Sequence, residues 1–194
     1  LHNGGMDTPP LALTPPCTRP ALATVAELLK PITWFPPMWA FACGVVASGQ
    51  DLGAQWPLLL LGLVLTGPLV CASSQAVNDW FDRHVDAINE PLRPIPSGRM
   101  PGRWGLGIAI AWTLLSLLWA TLMGPWGFAA CALAIALSWA YSAPPVRLKN
   151  NGWWGNAACG LAGVFWKSMP TMYPHAAPNS RCVTSAVTSR TAAA

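Results

Sequence analysis

The sequence predicts an all-α protein, a bundle of transmembrane helices, and three observations carry the prediction. Charged residues make up only 9% of the 194-residue chain while 53% is hydrophobic, whereas a water-soluble domain is about one quarter charged. Twelve tryptophans are present, and indole rings favour the membrane interface. The apolar residues are gathered into runs that approach the roughly 20 residues needed to cross a bilayer, and short polar connections separate them.

Residues 1–26 are rich in Pro, Thr and Ala without a hydrophobic period. They are expected to form a disordered N-terminal arm, with Met6 as a candidate start and no signal-peptide pattern ahead of the first span. The first run covers residues 32–48 and opens on Pro36-Pro37, which a first helical turn tolerates because it has no internal bond to lose. The second covers residues 56–77 and contains Gly67-Pro68, where a kink is expected. The third covers residues 104–123 and the fourth 126–142. A fifth, residues 153–166, is short and rich in Gly, Ala and Asn, a composition that lets helices approach closely. From Ser168 the chain is Ser, Thr, Pro and Ala with scattered Arg, and no span is expected there.

The connections alternate in charge. Arg19 and Lys30 precede the first span, Arg83, Arg93, Arg99 and Arg103 lie between the second and third, and Arg147 and Lys149 precede the fifth. The turns near Asp51 and at Gly124-Pro125 carry no Lys or Arg. The positive-inside rule then puts the N-terminus and both basic loops in the cytoplasm. The net charge of +4 is dispersed through these loops, and no basic stretch interleaved with aromatics suggests a nucleic-acid partner. The six cysteines form no C-x-x-C pair; no disulfide and no cysteine metal site is expected.

One segment carries chemistry. Asn78-Asp79-Trp80-Phe81-Asp82-Arg83-His84-Val85-Asp86 follows the second span. At 3.6 residues per turn, Asn78, Asp79, Asp82 and Asp86 share an arc of about 100°. Like charges at that spacing repel, and their burial beside lipid costs more. A divalent cation removes both penalties, and Mg2+ takes oxygen ligands that it shares with substrate phosphates. These four residues are therefore the candidate metal ligands. A solvated helix end paired with Arg83 and Arg93 is the plainer alternative. Downstream, Asn89-Glu90-Pro91-Leu92-Arg93-Pro94-Ile95-Pro96-Ser97-Gly98-Arg99 is stiffened by three prolines. Stiffness would hold Arg93 against a diphosphate, whose oxygens match a guanidinium fork. Arg147 and Lys149 are candidates to close over the same diphosphate, or serve only as topology anchors. His84 reads as a rim residue, and Cys71, Ser73 and Ser74 as packing residues.

The motif N-D-x-x-D-x-x-x-D at the end of a second span resembles the first aspartate motif of the UbiA-type intramembrane prenyltransferases. Three further stretches are similar to the chlorophyll and bacteriochlorophyll synthase branch. They are Leu29-Lys30-Pro31-Ile32-Thr33-Trp34-Phe35-Pro36-Pro37-Met38-Trp39-Ala40-Phe41, the run from Asn78 through Asn89-Glu90-Pro91 to Gly98, and Tyr141-Ser142-Ala143-Pro144-Pro145 to Lys149. The resemblance spans residues 27–162. It implies a fold of nine transmembrane helices, of which four to five spans are recognisable here. It also implies transfer of a geranylgeranyl or phytyl group from its diphosphate to the propionate of a (bacterio)chlorophyllide, with Mg2+ as cofactor. In that reading Asp79, Asp82, Asp86 and Arg93 are catalytic, and Asn78, Arg93, Arg147 and Lys149 bind the diphosphate. The expected partners are the isoprenoid diphosphate, the tetrapyrrole and the lipid bilayer of a bacterial photosynthetic membrane. The family's second aspartate motif has no counterpart, since no Asp or Glu follows Glu90. Residues 164–194 look unlike the family and have the composition of a slipped reading frame; residues 27–163 are expected to be an incomplete prenyltransferase region. A quinone- or haem-pathway prenyltransferase and an inactive truncated membrane fragment are the alternatives.

Overall fold

The structure is a computed structural model that describes residues 19–49, 52–157 and 160. All secondary structure among these residues is helical. Helix α1 is Leu22–Leu29, α2 Phe35–Ala47, α3 Leu52–Val64, α4 Ala72–Asn89, α5 Trp104–Ala120 and α6 Gly124–Ser142.

Helix α1 corrects one expectation. Residues 22–26 belong to a helix and not to a disordered arm, because Thr24, Leu28 and Leu29 are buried and the two leucines pack in a core cluster with residues of α4 and α5. Burying a leucine side chain is worth about 1.5–3 kcal/mol, enough to hold a short helix that would not form alone. The rest of that arm, residues 1–18, lies outside the described residues.

The first span begins later than its apolar run. Pro31–Thr33 form a 3-10 turn, and α2 starts at Phe35 with prolines in its first turn. Helix α3 and α4 are continuous through a π-helical segment, Leu65–Cys71. This is the form the expected kink takes. Pro68 has no N–H and its ring would strike the carbonyl four residues earlier; widening the helix accommodates both. Two indoles of α5 bond to carbonyls of this helix, Trp112 Nε1 to Pro68 O within the break and Trp119 Nε1 to Leu61 O in α3 before it, each at 3.1 Å. They fasten α5 across the irregular turn. Gly67 lets α2 come close, since a Cβ there would overlap Met38.

The helical run Trp56–Asn89 is 34 residues long, about 50 Å at 1.5 Å per residue. A hydrocarbon core is about 30 Å thick, so the polar last turns of α4 extend beyond it. The apolar run Trp104–Ser142 reverses at the 3-10 turn Thr121–Met123 and at Gly124, whose φ of 73° suits glycine. Helices α5 and α6 therefore form an antiparallel pair, with Cys131 Sγ on Ser116 O. One core cluster fills the bundle around Phe41, Leu65, Met123 and Cys131. A second, around Leu28, Ala76, Val77 and Ile108, lies under the acidic end of α4. Outward-facing Trp39, Leu60, Leu114 and Leu118 are exposed, the arrangement that lipid contact demands. Of the fifth run, residues 153–157 are helical; most of the remainder, and the tail at 164–194, lie outside the described residues.

Candidate functional site

Three basic segments converge on the last turns of α4. Lys30, at the C-cap of α1, places its ammonium 2.7 Å from Asp79 Oδ1. Arg93 donates to Asp86 Oδ2 at 2.9 Å and reaches Asp79 Oδ1 at 3.4 Å, with Glu90 fixing its Nε. From beyond α6, Arg147 Nη2 and Lys149 Nζ both donate to Asp82 Oδ1, at 3.1 and 2.5 Å. Lys30, the 90–103 loop and the 147–149 segment thus share one end of the bundle. The turns that follow α2 and α5 lie at the other.

Local structure explains how each arm is held. In the 90–103 loop, Ser97 N–H bonds to Arg93 O at 3.0 Å and Met100 N–H to Pro94 O at 2.9 Å, and Pro94 is fully buried. The proline-stiffened loop that the sequence predicts therefore exists, and Arg93 is aimed inward by it. Arg99 ties this loop to α1 by a bidentate pair on Glu27, at 2.5 and 2.8 Å, and caps Leu92 O. Lys30 and Arg147 both have left-handed backbones, φ 47° and 37°. Non-glycine residues adopt that conformation at a cost of order 1–3 kcal/mol, and such strain gathers at functional sites. Trp34 Nε1 closes the Lys30 turn by bonding Leu29 O at 2.9 Å.

The four residues of the predicted arc do not all face one centre. Asp79 and Asp86 share Arg93; Asp82 faces Arg147 and Lys149; Asn78 donates to Ser142 Oγ at 3.3 Å on α6. Among the described residues no three of His, Cys, Asp and Glu stand close enough to hold one metal ion together. In this arrangement the arc is divided between two sets of basic partners. The physical reason is that each carboxylate, taken out of water, draws the nearest base to itself. Arg83 is not one of those bases: it stacks on Trp80, 4.5 Å from the ring centroid, and donates to Trp80 O. His84 is exposed.

Two buried atoms in this cluster have no hydrogen-bond partner, Asp79 Oδ2 and Arg147 Nε. Asp79 is 2% exposed, and buried polar groups rarely go unpaired without a ligand or a function. The donor set is all oxygen, as Mg2+ requires, and an orphaned carboxylate oxygen fits a cation. The residues are therefore suited to hold a divalent cation, once their basic partners yield. Lys30 is the residue that sequence reasoning missed as a site member. Its signal was a lysine just before a proline, on the same side as the other basic loops.

A profile of the UbiA prenyltransferase family matches residues 33–183. The bacteriochlorophyll synthase 33 kDa chain of Cereibacter sphaeroides is 55% identical over 155 residues, covering 80% of this chain and 50% of that protein. The corresponding protein of Rhodobacter capsulatus is 56% identical over 151 residues, with 78% and 49% covered. The chloroplastic chlorophyll synthase of Oryza sativa subsp. japonica is 36% identical over 174 residues, with 82% and 45% covered. The chain spans about half the length of these relatives. A solved structure of a digeranylgeranylglyceryl phosphate synthase has the same fold, with a TM-score of 0.67 at 21% identity over 77% of this chain and 52% of that one. From its apolar helices, its fold and the matched span, the chain is an integral membrane protein and belongs to the UbiA prenyltransferase family.

Proposed function

We propose that the protein is a (bacterio)chlorophyll synthase, and that the described residues form its diphosphate-activating side. The substrates are a geranylgeranyl or phytyl diphosphate and the propionate of a (bacterio)chlorophyllide. The observation that carries the reading is the cluster at the end of α4. There the acids of one helix, Asp79, Asp82 and Asp86, are met by bases from three segments of chain, and the buried Asp79 Oδ2 has no hydrogen-bond partner. Carboxylates with an unpaired oxygen, together with guanidinium and ammonium groups at the same end of the bundle, suit a metal diphosphate. Identity of 55% to a bacteriochlorophyll synthase over 155 residues supports the pigment branch.

In this mechanism Asp79, Asp82 and Asp86, with Asn78 beside them, would hold Mg2+. When bound, the ion supplies Lewis-acid neutralisation of the leaving diphosphate. Arg93, Arg147 and Lys149 exchange their carboxylate partners for diphosphate oxygens, with the guanidinium forks orienting the leaving group. The apolar helices keep water from the allylic cation formed as the C–O bond breaks. The acceptor carboxylate is already a nucleophile, so no protein nucleophile is needed. The active side and the N-terminus are cytoplasmic by the distribution of Lys and Arg, in the inner, photosynthetic membrane of a bacterium. The assay uses membranes carrying the protein, a bacteriochlorophyllide, geranylgeranyl diphosphate and Mg2+, with ester detected by chromatography. Esterified pigment that disappears in Asp82→Asn is expected. Prenylation of a quinone or haem acceptor without pigment ester would overturn the reading.

A further inference from the structure

Ahead of Asp79, the long helical run Trp56–Asn89 carries several polar side chains inside the bundle. Thr66 Oγ1 donates to Leu63 O, Ser74 Oγ to Cys71 O and Cys71 Sγ to Thr33 O, while Ser73 Oγ and Thr113 Oγ1 share a bond at 2.9 Å. Gln75 is different. It is only partly buried, and among the described residues its carboxamide bonds to the Cys71 thiol alone. A thiol is a weak partner, whereas a carboxamide offers two N–H donors and an acceptor oxygen. A polar group left short of partners at membrane depth costs free energy, and such groups mark functional sites. The position is specific too. A hydrocarbon core takes about 20 residues of helix, so a helix that enters at Trp56 leaves the core near Gln75. At about 100° per residue Gln75 falls within the arc of Asn78, Asp79, Asp82 and Asp86. Asn78 and Asp79 lie three and four residues on, a spacing that puts Cβ atoms about 5–6 Å apart. Gln75 therefore stands on the acidic face, one turn toward the membrane from the acids.

Resting on the proposed function, we infer that Gln75 binds the carboxylate of the acceptor and holds it beside the carbon that the diphosphate leaves. The reaction brings three kinds of group to this face. The diphosphate is met by the cations one turn further out. The isoprenoid chain is apolar and has no use for a carboxamide. The propionate of the acceptor remains, and it must reach the allylic carbon on the membrane side of the diphosphate. In the transfer a propionate oxygen forms the new bond to that carbon, the bond from the carbon to the diphosphate oxygen breaks, and the diphosphate leaves with the electron pair. The propionate carries no proton, so none has to be moved. A neutral N–H donor orients the carboxylate and leaves its charge available for attack. An ammonium or guanidinium at the same place would hold the nucleophile in an ion pair, and an acid would repel it. Gln75 is thus a substrate-binding residue, and it sets the demand for an acceptor with a free carboxylate.

The test compares a bacteriochlorophyllide with the methyl ester of its propionate, which keeps the ring and removes the charge. Binding to the purified protein in detergent is read by quenching of tryptophan fluorescence. The wild type is expected to bind the free acid about tenfold or more tightly than the ester, a hydrogen bond to a charged group being worth at least that. In Gln75→Leu most of that preference should vanish. In the esterification assay the same variant should raise KM for the bacteriochlorophyllide by about tenfold and leave KM for geranylgeranyl diphosphate near the wild-type value. Gln75→Glu should reverse the preference and favour the ester. Gln75→Met should match Gln75→Leu and covers the case in which the leucine variant folds poorly. Thr121→Ala, at the other end of the bundle, should keep the wild-type preference. Equal binding of acid and ester by the wild type, or a preference that persists undiminished in Gln75→Leu and Gln75→Met, overturns the inference. So does loss of acid and ester binding together in both of these variants, because the residue then serves the fold and not the carboxylate. Failure of the wild type to bind either form overturns the proposed function as well.

Discussion

Replacing Arg93 with methionine tests whether the 90–103 loop holds the acidic face together. The substitution keeps most of the side-chain volume and removes the charge that Asp86 meets at 2.9 Å and Asp79 at 3.4 Å. Asp86 is buried and has no other basic partner among the described ion pairs, whereas Asp79 retains Lys30. Breaking a buried pair from one side costs about 3–5 kcal/mol. Arg93 is about one quarter exposed, and solvent screens part of the loss, so about 2–3 kcal/mol is the expected effect. For a chain of this size each kcal/mol lowers Tm by about 2–4 °C, which predicts a drop of roughly 4–12 °C. The assay is thermal unfolding of the purified protein in detergent without divalent cation. Asp86→Asn in the same background should recover much of the loss, because it removes the charge left uncompensated. A drop in Arg93→Met that stays under about 2 °C, or a double variant less stable than the single one, would refute the reasoning.

Other perturbations test other parts of the structure. At Gly62 a Cβ would overlap the Phe41 ring, so Gly62→Leu should lose about 1–3 kcal/mol by overpacking, measured by the same unfolding assay, with no loss meaning that α2 and α3 do not meet there. Arg99 holds the Glu27 carboxyl below its ordinary value, chiefly by its hydrogen bond and against the opposing effect of burial. A depressed carboxyl stabilises the fold above the unfolded value near 4.5 and loses that contribution as pH falls through the folded value. The acid limb of stability in Arg99→Met should accordingly flatten; because the pair is exposed the effect is small, and an unchanged limb would remove Glu27–Arg99 as a clasp. Cysteines introduced as Gly98→Cys and Asn150→Cys in a cysteine-free background should resist a periplasmic thiol reagent, while Gly49→Cys should react. The opposite pattern reverses the topology.

The sequence was enough for whatever depends on composition and helical period. Charge depletion and apolar run length fixed the class and the spans, since lipid tolerates only segments that satisfy their own backbone. Proline at position 68 announced a break, because its missing N–H is a local property. The shared arc of Asp79, Asp82 and Asp86 followed from 3.6 residues per turn alone. The π-helical form of the break was settled in the fold, with Trp112 reaching its Pro68 carbonyl from α5. Helix α1 was invisible in isolation, because eight residues do not form a stable helix until Leu28 and Leu29 find a buried surface. The division of the acidic arc was equally a tertiary matter. Asp79 is met by Lys30 from 49 positions away and Asp82 by Arg147 and Lys149 from 65 and 67. A helical period says which residues share a face; which charge each one meets depends on chain brought back across the bilayer, and only the packed bundle determines that.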